Sequence, residues 1–161
     1  METVTEKTGT AITHRVLFVC VHNSARSQMA ETFLKQLGGD IYLPESAGLE
    51  PGSLNPNAVE VLQEIGIDIS KNGTQDVWEL FKRGERYNAV ITVCDGASAE
   101  TCPLFPGLVK RIGWSFADPS GFTGTKEEIL EQTRVVRDQI KEAVLGLIEE
   151  GKDHNFWMKT R

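Results

Sequence analysis

Between Cys20 and Ser27 the chain reads Cys-Val-His-Asn-Ser-Ala-Arg-Ser, which puts a nucleophilic sulfur, a guanidinium and several hydroxyls in one short loop. The loop follows an apolar run, Arg15 to Cys20, and leads into apolar residues at helical spacing from Arg26 onward. A loop turning from a strand into a helix directs successive backbone N–H groups inward, and the helix dipole adds about half a positive charge there. Such a cradle suits a tetrahedral oxyanion, held by the N–H groups of Val21, His22, Asn23, Ser24, Ala25 and Arg26. The planar fork of Arg26 adds two parallel hydrogen bonds that a lysine could not make. The same field favours the anionic form of the Cys20 sulfur and makes it the candidate nucleophile. Ser27 can donate to that sulfur, and the Asn23 side chain can brace the loop backbone. A cysteine and an arginine at this spacing also arise by chance, one as a buried strand end and the other on a helix surface. The flanking strand and helix, together with Asn23 and Ser27, favour oxyanion chemistry because every level of the sequence agrees.

Three further groups fall after apolar segments and belong at the same end of a parallel sheet: Cys94, Cys102 and Asp118. If the first and third strands are neighbours about 5 Å apart, Cys94 comes within disulfide reach of Cys20. Cys102 follows a loop of small residues, Gly96 to Ala99, that allows rearrangement. Taken singly, Cys94 reads equally well as a buried strand residue and Cys102 as a surface thiol. Asp118 precedes Pro119, so it is either an ordinary turn starter or a general acid. Three cysteines are too few and too unevenly placed for a secreted disulfide framework. No pair has the short spacing of a structural zinc site, which would need His22 as its fourth ligand.

The elements that must position these groups are legible in the same pattern. Arg15 to Cys20 reads as a strand covered on both faces. Met29, Ala30, Phe33, Leu34 and Leu37 form a helical stripe that stops at Gly38-Gly39. Ile41 to Ala47 is a second strand. Asn55-Pro56 then opens a helix running to about Gly66, with Ala58, Val59, Leu62 and Ile65 as its apolar stripe. A short helix is expected around Asp76 to Phe81, and strands at Asn88 to Cys94 and Leu108 to Trp114. Thr125 and Glu128 form a capping box ahead of a long helix ending near Gly151. Alternation of strands and helices implies an α/β fold of three layers around a mainly parallel sheet. Residues 1–14 read as a flexible extension, 15–151 as the single domain and 152–161 as a tail. His14 and His154 are therefore surface residues in this reading, and the tryptophans Trp78, Trp114 and Trp157 packing or tail residues.

With 161 residues, 40% of them hydrophobic and 25% charged, the chain has material for one core. Its net charge of −6 argues against nucleic acid and anionic membrane surfaces as partners. The longest apolar run is far short of the roughly 20 residues that span a bilayer, and no leader opens the chain, so a cytoplasmic monomer is expected.

Beyond the loop, the chain resembles the low-molecular-weight tyrosine phosphatases, and more closely their relatives the thioredoxin-coupled arsenate reductases. The resemblance covers about residues 15 to 150 and rests on VLFVCVHNSARSQMAE at Val16 to Glu31, SAG at Ser46 to Gly48, ITVCDGASAETCPLFPG at Ile91 to Gly107 and ADP at Ala117 to Pro119. It implies a flavodoxin-like α/β/α arrangement with four parallel strands in the order 2-1-3-4. It also implies reduction of arsenate to arsenite, a detoxification that confers arsenic resistance, with phosphate and sulfate as competing oxyanions. In that scheme Cys20 attacks arsenate, Asp118 supplies the proton, Cys94 attacks the Cys20 sulfur, and Cys102 resolves the disulfide for reduction by thioredoxin. No cofactor is required. In some of these relatives a potassium ion lies near the loop, and Glu31, Ser46 and Asp76 match its surroundings, the last through a one-residue insertion. The alternative is a phosphatase working through a phosphocysteine, but Ser120, Gly121 and Phe122 stand where phosphatases often carry tyrosines. A hydrolase also has no need of Cys94 and Cys102. His22 occupies a position where relatives often have glycine, and no role is assigned to it.

Overall fold

A computed structural model of the chain describes residues 13–93 and 102–158. Most of the expected extension at 1–14, the last residues of the expected tail, and Cys94 lie outside the described residues. Four strands, β1 (His14–Cys20), β2 (Tyr42–Gly48), β3 (Ala89–Thr92) and β4 (Lys110–Gly113), form one parallel sheet in the order β2-β1-β3-β4. Among the described residues, five helices accompany them: α1 (Arg26–Gly38), α2 (Pro56–Gln63), α3 (Val77–Lys82), α4 (Lys126–Glu150) and α5 (His154–Met158). The fold is the three-layer α/β arrangement expected from the sequence.

The two-residue period of β1 explains the layering. Val16, Phe18 and Cys20 point into a core with Met29, Phe33 and Leu34 of α1, Leu62 of α2 and Ile140 of α4. Leu17 and Val19 point the other way, against Val77 and Leu80 of α3 and against Tyr87, Phe105 and Val109. Burial on both faces is why β1 shows no polar alternation. Parallel register then brings Cys20 opposite Gly48 and Val19 opposite Thr92, so the carboxyl ends of the strands share one edge.

The long helix starts at the expected capping box, with Thr125 accepting from Glu128 N–H and Glu128 accepting from Thr125 N–H. Asn55 caps α2 by accepting from Asn57 and Ala58. The stripe of α2 differs from expectation: Ala58, Val61 and Leu62 are buried, whereas Ile65 is 44% exposed. The helix turns off early at Gly66, φ +85°, and Ile67 N–H reaches back to the Leu62 carbonyl at 3.0 Å. Ile67 takes the buried place instead.

His14 and Trp157 correct the reading of the two ends. His14 opens β1 and is buried, its ring stacked on Trp157 with centroids 3.9 Å apart. A turn after α4 sends α5 back across the sheet, and Trp157 Nε1 donates to the Gly151 carbonyl at 2.9 Å. Residues 154–158 are thus a closing helix rather than part of a tail, because Trp157 and Phe156 find apolar partners that sequence spacing could not assign. Burial, aided by the charge of His154, lowers the His14 pKa from its ordinary value and favours the neutral ring.

Candidate active site

The Cys20–Ser27 loop sits where β1 meets α1, and its shape is set by a neighbouring segment. The N–H groups of Leu49, Glu50, Gly52 and Asn55 donate to the carbonyls of Cys20, Val21, His22 and Ser24 at 2.7–3.0 Å. In a trans peptide the following N–H points opposite to its carbonyl. Carbonyls turned outward to residues 49–55 therefore turn the N–H groups of Val21, His22, Asn23 and Ala25 to the concave side. Asn23 N–H confirms this, donating to Cys20 Sγ at 3.1 Å. Gly48 makes the close crossing feasible, since a Cβ there would lie 2.8 Å from the Val21 carbonyl oxygen and 2.9 Å from Asn23 N.

Asn23 is the loop's pivot. It is the non-glycine residue with positive φ, +56°, among the described residues, a conformation asparagine tolerates better than most. Its Nδ2 donates to Ser27 Oγ at 2.7 Å, which leaves the Ser27 hydroxyl hydrogen for Cys20 Sγ at 2.9 Å. The sulfur thus receives one backbone and one side-chain donor, both suited to an anion. Cys20, Asn23, Ala25, Arg26 and Ser27 are buried.

Arg26 begins α1 with its side chain almost wholly buried. Its NH1 donates to the Phe116 carbonyl at 3.0 Å, and NH2 lies 3.4 Å from Asp118 Oδ2. Among the described residues, Nε is buried without a hydrogen-bond partner. Nε and NH2 form one edge of the guanidinium, the edge that can grip two oxygens of an oxyanion, while Phe116 holds the other from behind. An orphaned buried donor costs free energy unless something accepts from it.

Asp118 serves a turn and faces Arg26 at once. Oδ1 accepts from Ser120 N–H at 3.0 Å, the turn role, and caps a short 3-10 turn at Pro119–Gly121. Oδ2 faces Arg26. Burial alone would raise its pKa, but the Ser120 bonds and the charges of Arg26 and His22 outweigh that and hold it below the ordinary aspartate value. A bound oxyanion that takes over the Arg26 fork would remove one of these restraints and place negative charge nearby, both of which favour the protonated acid. His22 is exposed, and its Nδ1 lies 2.8 Å from the Glu50 carbonyl. A carbonyl only accepts, so Nδ1 carries the hydrogen.

Cys102 is buried, grouped with Val90, Phe105 and Val109 and lining a small cavity with Thr92, Arg111, Ile112 and Gly113 at the β3–β4 end. Val93 N–H donates to the Val19 carbonyl at 2.9 Å, so the described chain reaches the residue before Cys94 directly beside the end of β1.

Of the three residues matched to a cation, Glu31 and Ser46 line one polar cavity and Asp76 does not. Ser46 Oγ donates to Glu31 Oε1, and burial raises the Glu31 pKa. Asp76 instead caps α3, accepting from Trp78 N–H at 2.8 Å, and lies outside the polar cavity lined by Glu31 and Ser46. The N-cap position dictates this, because its side chain turns back onto its own helix. No cluster of three His, Cys, Asp or Glu side chains able to hold a metal occurs among the described residues.

Two residues of the site escaped the sequence reading, Gln28 and Gln75. Gln28 Nε2 donates to the carbonyls of Asn23 at 3.1 Å and Gly73 at 3.0 Å, and Gln75 N–H donates to Asn23 Oδ1 at 2.9 Å. The only hint was Gln28 following Arg26-Ser27 directly; Gln75 is far from the loop in sequence.

A phosphatase-type oxyanion loop on a parallel sheet defines the class, and the chain belongs to the low molecular weight phosphotyrosine protein phosphatase family, whose model matches residues 15–155. Within that family the chain is similar to arsenate reductases. The enzyme of Bacillus subtilis is 43% identical over 137 residues, covering 85% of this chain and 96% of that one. A solved arsenate reductase in the oxidized state superposes with a TM-score of 0.71 at 34% identity, covering 85% of this chain and 98% of the other. A thioredoxin-dependent arsenate reductase of Corynebacterium glutamicum gives a TM-score of 0.58 at 28% identity, over 85% of this chain and 64% of that one. No helix among the described residues is long and apolar enough to cross a membrane.

Proposed function

We propose that this chain reduces arsenate to arsenite with electrons from its own thiols, regenerated by thioredoxin in the cytoplasm. The observation that carries the reading is the Cys20 sulfur, met by the Asn23 N–H and the Ser27 hydroxyl in a loop whose Arg26 presents its Nε–NH2 edge. That geometry serves any tetrahedral oxyanion; the likeness to arsenate reductases and the presence of Cys94 and Cys102 favour arsenate.

In the proposed sequence the Cys20 thiolate attacks As(V), an S–As bond forms, and one oxygen leaves as water with a proton from Asp118. The Cys94 thiolate then attacks the Cys20 sulfur. An S–S bond forms as the S–As bond breaks, and its electron pair reduces As(V) to As(III), released as arsenite. Cys102 attacks the Cys94 sulfur, freeing the Cys20 thiolate and leaving a Cys94–Cys102 disulfide. Thioredoxin, with a potential of about −270 mV, returns it to two thiols. The relay rests on sequence position for Cys94 and on burial beside the β3–β4 end for Cys102.

The test incubates the protein with arsenate, thioredoxin, thioredoxin reductase and NADPH, and in parallel with an aryl phosphate. The proposal expects NADPH consumption that depends on arsenate. A Cys102→Ser variant should stop after one turnover with Cys20 joined to Cys94. Rapid aryl phosphate hydrolysis without arsenate-dependent NADPH consumption would establish the phosphatase instead.

A further inference from the structure

Two oxygens beside the oxyanion loop, Asn23 Oδ1 and the Ser46 carbonyl, are bridged by one residue, Gln75, through its backbone N–H and its side-chain amide. Gln75 N–H donates to Asn23 Oδ1 at 2.9 Å, its Nε2 donates to the Ser46 carbonyl at 3.1 Å, and its own carbonyl accepts from Gly48 N–H at 2.7 Å. Three bonds thus tie Gln75 to the end of β2 and to the loop pivot. Gln28 closes the ring, donating to the Asn23 and Gly73 carbonyls while Asn72 Nδ2 donates to Gln28 Oε1 at 3.1 Å. Gln75 lines the same cavity as Glu31, Ser46 and Asn23.

We infer that Gln75 does here what a monovalent cation would do, drawing the Asn23 side chain and the Ser46 carbonyl together with its backbone and side-chain N–H groups, so that the oxyanion loop is braced without potassium. The physical basis is that both groups present partial positive charge to carbonyl-type oxygens, and hard cations need several such oxygens converging. Asn23 Oδ1 and the Ser46 carbonyl face amide donors, and one oxygen of Asp76 accepts from its own helix. Because Asn23 Nδ2 orients Ser27 toward Cys20, Gln75 acts on the nucleophile as a positioning residue, linked to it through three successive hydrogen bonds. The inference concerns the loop and stands whether or not the substrate is arsenate.

The experiment compares KCl with choline chloride at equal ionic strength, reading the thermal midpoint and, by peptide mass spectrometry, the rate at which iodoacetamide alkylates Cys20. The wild-type midpoint should change by less than about 1 °C, and the alkylation rate by less than about twofold. A cation bound at a hundred times its dissociation constant would raise the midpoint of a chain this long by about 5–10 °C. Gln75→Glu sets a carboxylate against the Ser46 carbonyl and in the cavity that Glu31 lines. It should lose several degrees in choline chloride, alkylate at an altered rate, and recover on both readouts in KCl. Saturable stabilisation of the wild type by KCl overturns the inference, as does a Gln75→Glu protein that behaves like wild type in both salts. If the variant does not fold, the wild-type titration decides alone.

Discussion

Replacing Asn23 by alanine tests whether the loop is a strained, braced device or merely a connection. Asn23 is buried at φ +56° and its side chain makes two well-formed bonds, one to Ser27 Oγ and one from Gln75 N–H. Each buried bond contributes about 1 kcal/mol net, and an alanine forced into the left-handed region costs about 1 kcal/mol more. Asn23→Ala should therefore lose about 3 kcal/mol, a substantial part of a typical 5–15 kcal/mol stability. For a chain of this length the thermal midpoint falls by about 6–12 °C. Asn23→Gly separates the causes: it loses the same bonds but accepts positive φ, and should be about 1 kcal/mol more stable than the alanine variant. Urea denaturation followed by circular dichroism gives both values, with the slope unchanged if only the folded state is affected. An alanine variant within 0.5 kcal/mol of wild type, or a glycine variant no better than alanine, would refute the reasoning.

Asp118→Asn should slow the first chemical step by about 10²–10⁴ while leaving arsenate binding measurable by competition with phosphate; because its folded pKa is depressed, the stability advantage of wild type over this variant should be present above the ordinary aspartate range and fade as pH falls through the lowered value. Glu31 has the opposite sign, its pKa being raised by burial, so Glu31→Gln should gain on wild type as pH rises from the ordinary glutamate range through the raised value, and match it most closely in acid; urea midpoints across pH check this. Trp157→Ala should cost about 3–5 kcal/mol by emptying the stack on His14 and the contact with the core, whereas removal of a true tail residue would leave the urea midpoint unchanged.

The candidate site divides unevenly between what was legible and what was not. Cys20, Asn23, Arg26 and Ser27 could be read because one short loop contains them all, and strand, loop and helix are each local patterns. Asp118 was legible only as a choice between turn and acid, and the structure shows a carboxylate serving the turn with one oxygen and Arg26 with the other. Asp76 caps α3 with one oxygen, a role that looks like a cation ligand's in sequence. Gln75 and the Phe116 carbonyl gave no signal, since neither residue type nor spacing reveals a partner reached through the fold.

The sequence by itself determined the order of strands and helices along the chain and the loop from Cys20 to Ser27 between β1 and α1, since these depend on hydrophobic period, capping residues and neighbours within a few positions. Tertiary structure decided everything that required distant segments to meet. Gly48 admits the loop only because β2 lies beside β1, residues 49–55 turn its N–H groups inward, and Gln75 braces its pivot from the segment before α3. It also decided that Trp157 closes onto His14, a contact between the two ends of the described chain. Local preferences act over one or two turns of backbone, whereas these contacts exist only once the sheet has fixed which segments lie side by side.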